Sequence, residues 1–258
     1  MTELADAYSQ GALAWSDGPA RVYGPLAEML VAFSPEPVDG RLVLEVGSGT
    51  GAGSSAAMAA GARVVASDLA PGMLLIDRER RPPAVAADVM QLPFGDDAFD
   101  IALAPFCLNH LPVPASGVRE AGRVAHLLLG STYAEDDDHP VKLATELAMR
   151  TTGWEPPTWY ADVKDSMRAW GTVNGATAAV EDGGLTPVRV ERTEVRFDSL
   201  SPADLVAWRL GLAHTSPAFA ALPAARQREV SEHAVELLGR DPEPLVRRVI
   251  FFAAARRT

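Results

Sequence analysis

A cluster of glycines follows an apolar run and is bracketed by acidic residues. Gly47, Gly49 and Gly51 lie in "LVLEVGSGTGAGS", with Glu45 two positions before the first of them. Asp68 follows in "VVASDLAPGML", about 20 residues after the glycines. A glycine-rich turn after a strand lets the backbone approach a ligand closely, and carboxylates at strand ends accept hydrogen bonds from hydroxyl groups. This spacing predicts a site for a nucleotide-like ligand.

The glycine cluster alone fits more than one kind of ligand. The G-x-G-x-x-G/A fingerprint of dinucleotide-binding enzymes can be placed on Gly47, Gly49 and Ala52, with Asp68 as the ribose ligand, which would indicate an NAD-dependent oxidoreductase. No lysine or arginine lies in the turn, which counts against a nucleoside triphosphate. The structural alternative is a tight strand-to-helix connection, in which Asp68 or Asp88 only caps a helix.

Three histidines are candidate catalytic bases, because imidazole titrates near neutral pH. His110 lies in "CLNHLP" after a predicted strand, His139 follows the acidic run "EDDD", and His214 lies in "GLAHTSP". Each also has a structural interpretation, as a helix cap, a solvated loop residue or a packing residue. The single cysteine, Cys107, excludes a disulfide framework and a cysteine-cluster metal site. We assign no metal ligands from the sequence.

Aromatic residues are concentrated in the segments that are predicted to cover the site. They would suit a pocket for a hydrophobic or aromatic small molecule, although aromatic residues at helical spacing also pack helices onto a core. The candidate pocket residues are Trp15, Tyr23, Tyr133, Trp154, Trp159 and Tyr160.

Strands and helices alternate through the first half of the chain and must position these residues. Apolar runs predict strands at 41–46, 63–67, 84–87, 99–104 and 126–133, and periodic patterns predict helices at 52–60, 71–80 and 111–124. Such alternation indicates a parallel sheet covered on both faces. The predicted fold class is α/β, a Rossmann-like doubly wound, mostly parallel seven-stranded sheet with an antiparallel edge strand and helical cap insertions.

The second half of the chain adds helices without neighbouring strands. The patterns predict helices at 141–151, 158–170 and 224–238, another beginning at Ser201, and strands at 188–197 and 245–257. We expect one domain over residues 1–258: an N-terminal helical cap (1–37), a cofactor-binding half (38–134), an inserted cap (135–182) and the remaining strands (183–258) with a helical insertion near 201–240. Near 122–126 the helix meets the strand with almost no loop, so we expect a later strand start or a missing loop.

The composition of the chain limits the classes of molecule that it is expected to bind. The chain has 258 residues with 34 acidic and 23 basic side chains and a net charge of -11, which gives no electrostatic footprint for nucleic acid or an anionic membrane surface. The N-terminal residues form no signal peptide and no apolar run could span a bilayer. We expect a cytoplasmic monomer or homodimer that acts on a small molecule.

Four ordered motifs resemble those of one enzyme family. "VLEVGSGTG", "VVASDLAPGML", "AADVMQLPFGDDAFDIALA" and "NHLP" are similar to the successive motifs of class I S-adenosylmethionine-dependent methyltransferases, with the ubiquinone/menaquinone-type branch of small-molecule enzymes as the nearest pattern. The resemblance covers roughly residues 41–133 and is more specific for fold and cofactor than for the acceptor.

The resemblance implies a role for each motif residue. Asp68 would bind the ribose hydroxyls, Asp88 and the Val89 backbone the adenine, and Glu45 the ammonium end of the methionine moiety. An N-terminal segment of this family tends to close over the cofactor. The implied cofactor-binding residues are Tyr8, Glu45, Gly47, Ser48, Gly49, Gly51, Asp68, Leu69, Met73, Asp88, Val89, Pro105 and Phe106.

The expected activity is methyl transfer from S-adenosylmethionine, with S-adenosylhomocysteine as product. The acceptor would be a small, hydrophobic or aromatic molecule methylated at O, N or C, such as a specialised metabolite or a quinone-type compound. The alternatives are an S-adenosylmethionine-binding enzyme that catalyses a cyclisation or rearrangement, an NAD-dependent oxidoreductase, and a cofactor-binding regulator without activity.

Overall fold

A seven-stranded sheet runs through the centre of the computed structural model, which describes residues 2–256. The strands are β1 (Leu42–Val46), β2 (Arg63–Asp68), β3 (Ala84–Ala86), β4 (Phe99–Pro105), β5 (Ala125–Tyr133), β6 (Leu185–Phe197) and β7 (Leu245–Arg256). Their order across the sheet is β3-β2-β1-β4-β5-β7-β6. The order reverses between β1 and β4, and ligands of such sheets bind at the reversal, beyond the carboxyl ends of the strands.

The mostly parallel sheet of the predicted fold class is confirmed. β1 to β5 pair in parallel, and β7 is antiparallel to both β5 and β6. The antiparallel strand lies one position inside the edge, because β6 forms the outermost strand beyond it.

Eleven helices surround the sheet among the described residues. They are α1 (Thr2–Asp17), α2 (Ala20–Ala32), α3 (Ala52–Ala59), α4 (Pro71–Leu75), α5 (Pro114–Val124), α6 (Val141–Arg150), α7 (Trp159–Trp170), α8 (Val173–Asp182), α9 (Pro202–Leu210), α10 (Ser216–Ala220) and α11 (Ala224–Leu238). None of the helices within residues 2–256 has the length and apolar character needed to cross a membrane.

Alternate residues of the strands supply two separate apolar cores. In β4, Ile101 and Leu103 belong to the core that is shared with α2, α6 and α11, whereas Ala102 and Ala104 face the core that is shared with α5 and α8. Both faces of the central strands are therefore buried, as expected for a parallel sheet with helices on each side.

Several predicted element boundaries were wrong. The helix expected at 71–80 ends at Leu75, since Asp77 takes a left-handed conformation (φ 50°) and a turn follows. The helix expected from residue 111 begins at Pro114, after a 3₁₀ turn over Leu108–His110. Of the two alternatives for residues 122–126, the later strand start was wrong, because β5 starts at Ala125 directly after α5. The missing loop stays a prediction.

Candidate active site

The glycine turn after β1 adopts backbone conformations that other residues disfavour. Gly47 and Gly51 have φ values of 62° and 97°, in the left-handed region. A Cβ atom on Gly47 would overlap the sulfur of Cys107, which follows β4. The turn therefore lies against the end of the neighbouring strand, where a ligand could contact its backbone.

Two carboxylates flank this turn and hold it in place. Asp68, the last residue of β2, accepts hydrogen bonds from the backbone N–H groups of Gly49 (2.7 Å) and Ala70 (2.8 Å). Glu45, only 1% exposed, accepts from the backbone N–H of Ser54 (2.8 Å) and from its hydroxyl. Each carboxylate oxygen can accept more than one hydrogen bond, so both groups retain capacity for a ligand.

Burial perturbs both acids. Desolvation raises the pKa of Glu45 to about 7, although the hydrogen bonds from Ser54 and the charge of Arg81 oppose the shift. Desolvation also raises the pKa of Asp68, against the backbone hydrogen bonds from Ala70 and Gly49. A cationic ligand group beside Glu45 would favour its ionised form.

Arg81 supports the turn from outside the cavity. Its guanidinium donates to the carbonyl oxygens of Gly49 (3.0 Å) and Met73 (2.7 Å) and to the Ser48 hydroxyl (3.0 Å). It is absent from the cavity wall, so its charge is directed at the backbone and not at the ligand space. Arg81 was not predicted as a site residue, although "RERRPP" places it just before β3.

A first cavity opens between the glycine turn, the ends of β2 and β4, and α1. It contains twelve of the thirteen residues that the resemblance implied for the cofactor: Tyr8, Glu45, Gly47, Ser48, Gly49, Asp68, Leu69, Met73, Asp88, Val89, Pro105 and Phe106. Gly51, the N-cap of α3, does not line it. Thr50, Trp15 and His110 are among the other residues of the wall.

The donors and acceptors of this cavity fit S-adenosylmethionine. The carboxylates of Glu45 on β1 and Asp68 on β2 suit an ammonium group and a ribose diol. The Cys107 side chain fills the space that a Cβ at Gly47 would need, whereas a Cβ at Gly49 would meet no atom closer than 4.0 Å, so the turn is open to the cavity at Gly49.

A second cavity adjoins the first and is built mainly from the caps. Five of the candidate pocket residues line it: Trp15, Tyr23, Tyr133, Trp159 and Tyr160. Trp154 does not line it, because its side chain is buried in the apolar core. Trp208 also contributes to the wall, and so do Arg209 and Arg247, which were not predicted as site residues. That this cavity binds the acceptor stays a prediction.

Five residues line both cavities and mark where they meet: Tyr8, Trp15, Tyr23, Phe106 and His110. Their rings form a continuous wall, with centroid separations of 5.4 Å (Tyr8–Trp15), 5.0 Å (Trp15–Tyr23) and 5.2 Å (Tyr23–Phe106). Phe106 has a positive φ of 51°, a strained conformation that occurs often at functional sites. A ligand in the first cavity can contact one in the second at this junction.

The three candidate histidines occupy different environments. His110 lines the junction, and burial lowers its pKa to about 4. His139 uses both ring nitrogens for structure: Nδ1 accepts from the Val141 N–H (3.2 Å) and Nε2 lies 2.9 Å from the Glu243 carbonyl oxygen. His214 stacks on Tyr160 with a centroid distance of 3.9 Å.

Charged and polar groups lie inside the second cavity. Arg247, 7% exposed, pairs with Asp137 at 2.8 Å and lies over the Tyr133 ring at 3.8 Å. The Asn109 amide is buried beside His110 and has no hydrogen-bond partner in the described part of the chain. The expected hydrophobic pocket is therefore more polar than the aromatic residues suggested. Residues 2–256 contain no group of three His, Cys, Asp or Glu side chains arranged to hold a metal ion.

Comparison with known proteins agrees with this geometry. A family model described as a methyltransferase domain matches residues 44–126. The demethylmenaquinone methyltransferase of Paenarthrobacter aurescens is 32% identical over 162 residues, which covers 58% of this chain and 64% of that relative. The enzyme of the same name from Corynebacterium kroppenstedtii is 30% identical over 163 residues, which covers 59% of this chain and 71% of its own length.

The fold also matches solved structures. The [4+2]-cyclase SpnF superposes with a TM-score of 0.56 at 20% identity, covering 91% of this chain and 82% of that one. At this identity the likeness shows the fold alone. The glycine turn, the strand-end carboxylates, the family model and the sequence relatives agree, and the chain belongs to the class I S-adenosylmethionine-dependent methyltransferases of the small-molecule type.

Proposed function

We propose that this protein transfers the methyl group of S-adenosylmethionine to a small aromatic acceptor bound in the second cavity. The observation that carries the proposal is the junction of the two cavities, where Phe106 and His110 line both. A donor in the first cavity and an acceptor in the second would meet there. The relatives named above methylate demethylmenaquinone by their names, which supports an aromatic or quinone-type acceptor.

The first cavity would hold the cofactor through named groups. When bound, S-adenosylmethionine supplies an electrophilic methyl group and leaves as S-adenosylhomocysteine. Glu45 would bind the ammonium group, Asp68 the ribose hydroxyls, and Asp88 with the Val89 backbone the adenine. Tyr8 and Trp15 of α1 would cover the bound molecule and exclude water, which favours in-line attack by a positioned acceptor.

Some methyl acceptors must lose a proton before they can react, and His110 would take up that proton. Burial keeps its imidazole neutral at physiological pH, so an unprotonated ring nitrogen is available for the proton. The low pKa makes it a weaker base than an ordinary histidine, which suits an acceptor that is already acidic. The neighbouring Asn109 amide, buried and without a partner, would orient the acceptor by a hydrogen bond. His139 has no role in this proposal, because both of its ring nitrogens contact backbone groups of the fold.

A screen of aromatic acceptors tests the proposal. The purified protein is incubated with S-adenosylmethionine and phenols, hydroxyquinones and aromatic acids, and S-adenosylhomocysteine is measured together with the product mass. We expect S-adenosylhomocysteine and a product that has gained one methyl group, in equal amounts. A product of unchanged mass without S-adenosylhomocysteine would indicate a cyclisation or rearrangement, and hydride transfer from NADH would indicate an oxidoreductase.

A further inference from the structure

The second cavity contains a buried cation without a counter-ion. Arg209, on α9, is 8% exposed and lines this cavity. Its Nε is buried and has no hydrogen-bond partner. The guanidinium makes one long polar contact, in which Nη2 lies 3.5 Å from the Nε2 of His214. A guanidinium presents five N–H donors, so most of its hydrogen-bonding capacity is unused.

Three of the other four basic side chains of the wall are paired with a carboxylate. Arg247 pairs with Asp137 at 2.8 Å, Arg168 with Asp165 at 3.0 Å, and Lys142 with Asp138 at 3.8 Å. Lys164 has no such pair among the described residues and lies over the Tyr160 ring at 4.9 Å, but it is only half-buried. The buried Arg209 guanidinium lies 5.6 Å from the Trp208 ring centroid. Within residues 2–256, no carboxylate lies within 4.0 Å of the Arg209 guanidinium. The three acids of the wall, Glu135, Asp137 and Asp138, do not pair with it.

An uncompensated buried charge is costly to a fold, and buried cations are normally paired with an anion. A ligand that brings the missing anion would satisfy Arg209. A carboxylate matches the guanidinium best, because two parallel N–H···O bonds can form with its two oxygens.

The surroundings of Arg209 favour a planar ligand. Tyr160 and His214 stack with a centroid distance of 3.9 Å and an interplanar angle of 5°. Burial and the nearby charge of Arg209 lower the pKa of His214, so its imidazole stays neutral and does not compete for an anion. Burial raises the pKa of Tyr23, which lines the junction with the cofactor cavity, and the charge of Arg209 opposes this shift. Arg209 therefore shares the second cavity with this aromatic pair and with Tyr23 of the junction.

We propose that Arg209 binds a carboxylate of the acceptor, and that the acceptor is a small aromatic carboxylic acid. This inference rests on the proposed function, because it assigns the substrate class of the same cavity. The signal in the sequence is an arginine inside the otherwise apolar run "LVAWRLGL" of α9.

Paired acids and amides test this assignment without turnover. The protein, saturated with S-adenosylhomocysteine, is titrated calorimetrically with benzoate and 2-naphthoate and with the neutral benzamide and 2-naphthamide. We expect each acid to bind about tenfold more tightly than its amide, as for a charge-assisted pair. Arg209→Met should abolish this preference and Arg209→Lys should keep part of it. Arg168→Met, which removes an already paired cation of the same wall, should keep the preference intact.

Thermal unfolding distinguishes a role of Arg209 in binding the ligand from a role in stabilising the fold. Removing an uncompensated charge should leave the midpoint of ligand-free Arg209→Met equal to or above that of the natural protein. Equal affinity for acids and amides, binding of none of the acids, or a preference that survives Arg209→Met would overturn the assignment. Failure to bind S-adenosylhomocysteine would instead reject the proposed function, and the same titrations without it would still test the anion site.

Discussion

Glu45 is a buried acid that we propose as the ligand of the cofactor ammonium group. Its carboxylate is buried and its pKa is raised to about 7. A raised pKa means that the native protein holds a proton that the unfolded chain has already lost between the ordinary value of 4.5 and about 7. The free energy of unfolding therefore falls as the pH rises through this window.

Glu45→Gln should consequently separate stability from affinity. At about pH 8 we expect the variant to be more stable than the natural protein by roughly 2 to 3 kcal/mol, an advantage that shrinks near pH 5. Its affinity for S-adenosylmethionine should fall about 10- to 100-fold, because a hydrogen bond to a charged group is lost. Chemical denaturation and calorimetry measure the two effects. Glu79→Gln, an exposed site beyond α4, is the control. A variant that binds normally would remove Glu45 from the cofactor site.

His110 makes the opposite pH prediction. Its pKa of about 4 lies below the ordinary value of 6.5, so the unfolded chain binds a proton in this range that the native protein does not. Stability conferred by the neutral imidazole is present above about pH 6.5 and is lost as the pH falls toward 4.

We expect His110→Gln to change this dependence. When the pH is lowered from about 7.5 to about 5, the natural protein should lose about 2 kcal/mol more of its free energy of unfolding than the variant loses. Urea denaturation at several pH values provides the measurement, with His233→Gln on α11 as the comparison. Parallel pH profiles for the natural and variant proteins would show that His110 titrates normally and is not desolvated.

At the scale of elements, α1 closes the cofactor cavity. Tyr8 and Trp15 of this helix line the cavity, and its backbone packs against α4, where the Gly72 N–H donates to the Ser9 hydroxyl (3.2 Å). A Cβ atom at Gly72 would lie 2.7 Å from the Ser9 Cα, which is too close for an undisturbed contact. The position of α1 therefore depends on a missing side chain in α4.

Gly72→Ala should displace α1 and weaken cofactor binding. Overpacking of this kind costs about 1 to 3 kcal/mol, so we expect roughly a tenfold or greater increase in Kd for S-adenosylhomocysteine in calorimetric titration. Leu13→Ala changes an exposed residue of the same helix and should bind normally. If the Gly72 variant also binds normally, α1 does not cover the cofactor.

Local signals explain which elements were predictable. β1, β2 and β4 were predicted within one residue at each end because each is a buried apolar run with a turn on both sides. α8 and α10 were missed, since tertiary contacts stabilise them: Ala176 and Val180 of α8 are fully buried in a core assembled from distant strands. The helix proposed at 71–80 failed because periodicity did not reveal the left-handed Asp77.

Within the site too, residues in local motifs were predictable from the sequence, whereas contacts between distant segments were not. Candidate cofactor ligands at strand ends, such as Asp68, could be predicted from their motif because the sheet brings strand ends together. Arg209 could not, because its environment combines α9 with Tyr160 of α7 and with the later His214. No spacing in the sequence encodes that juxtaposition.

At the scale of the whole molecule, three distant parts of the chain enclose one reaction space. The glycine turn and strand ends form its floor, α1 covers the cofactor side, and α7 and α9 with the loop around His214 enclose the acceptor side. Residues at the strand ends form much of the first cavity, whereas the caps form most of the second cavity, where we propose that the acceptor binds. This division is consistent with one fold serving many acceptors.

Calorimetric titration with S-adenosylmethionine, S-adenosylhomocysteine and NADH is the measurement that tests the cofactor assignment most directly. We expect micromolar binding of the first two, no binding of NADH, and a loss of about 1.5 to 3 kcal/mol in Asp68→Ala but not in Glu79→Ala. Binding of NADH alone, or unchanged affinity in Asp68→Ala, would contradict the assignment of the glycine turn and Asp68 to S-adenosylmethionine.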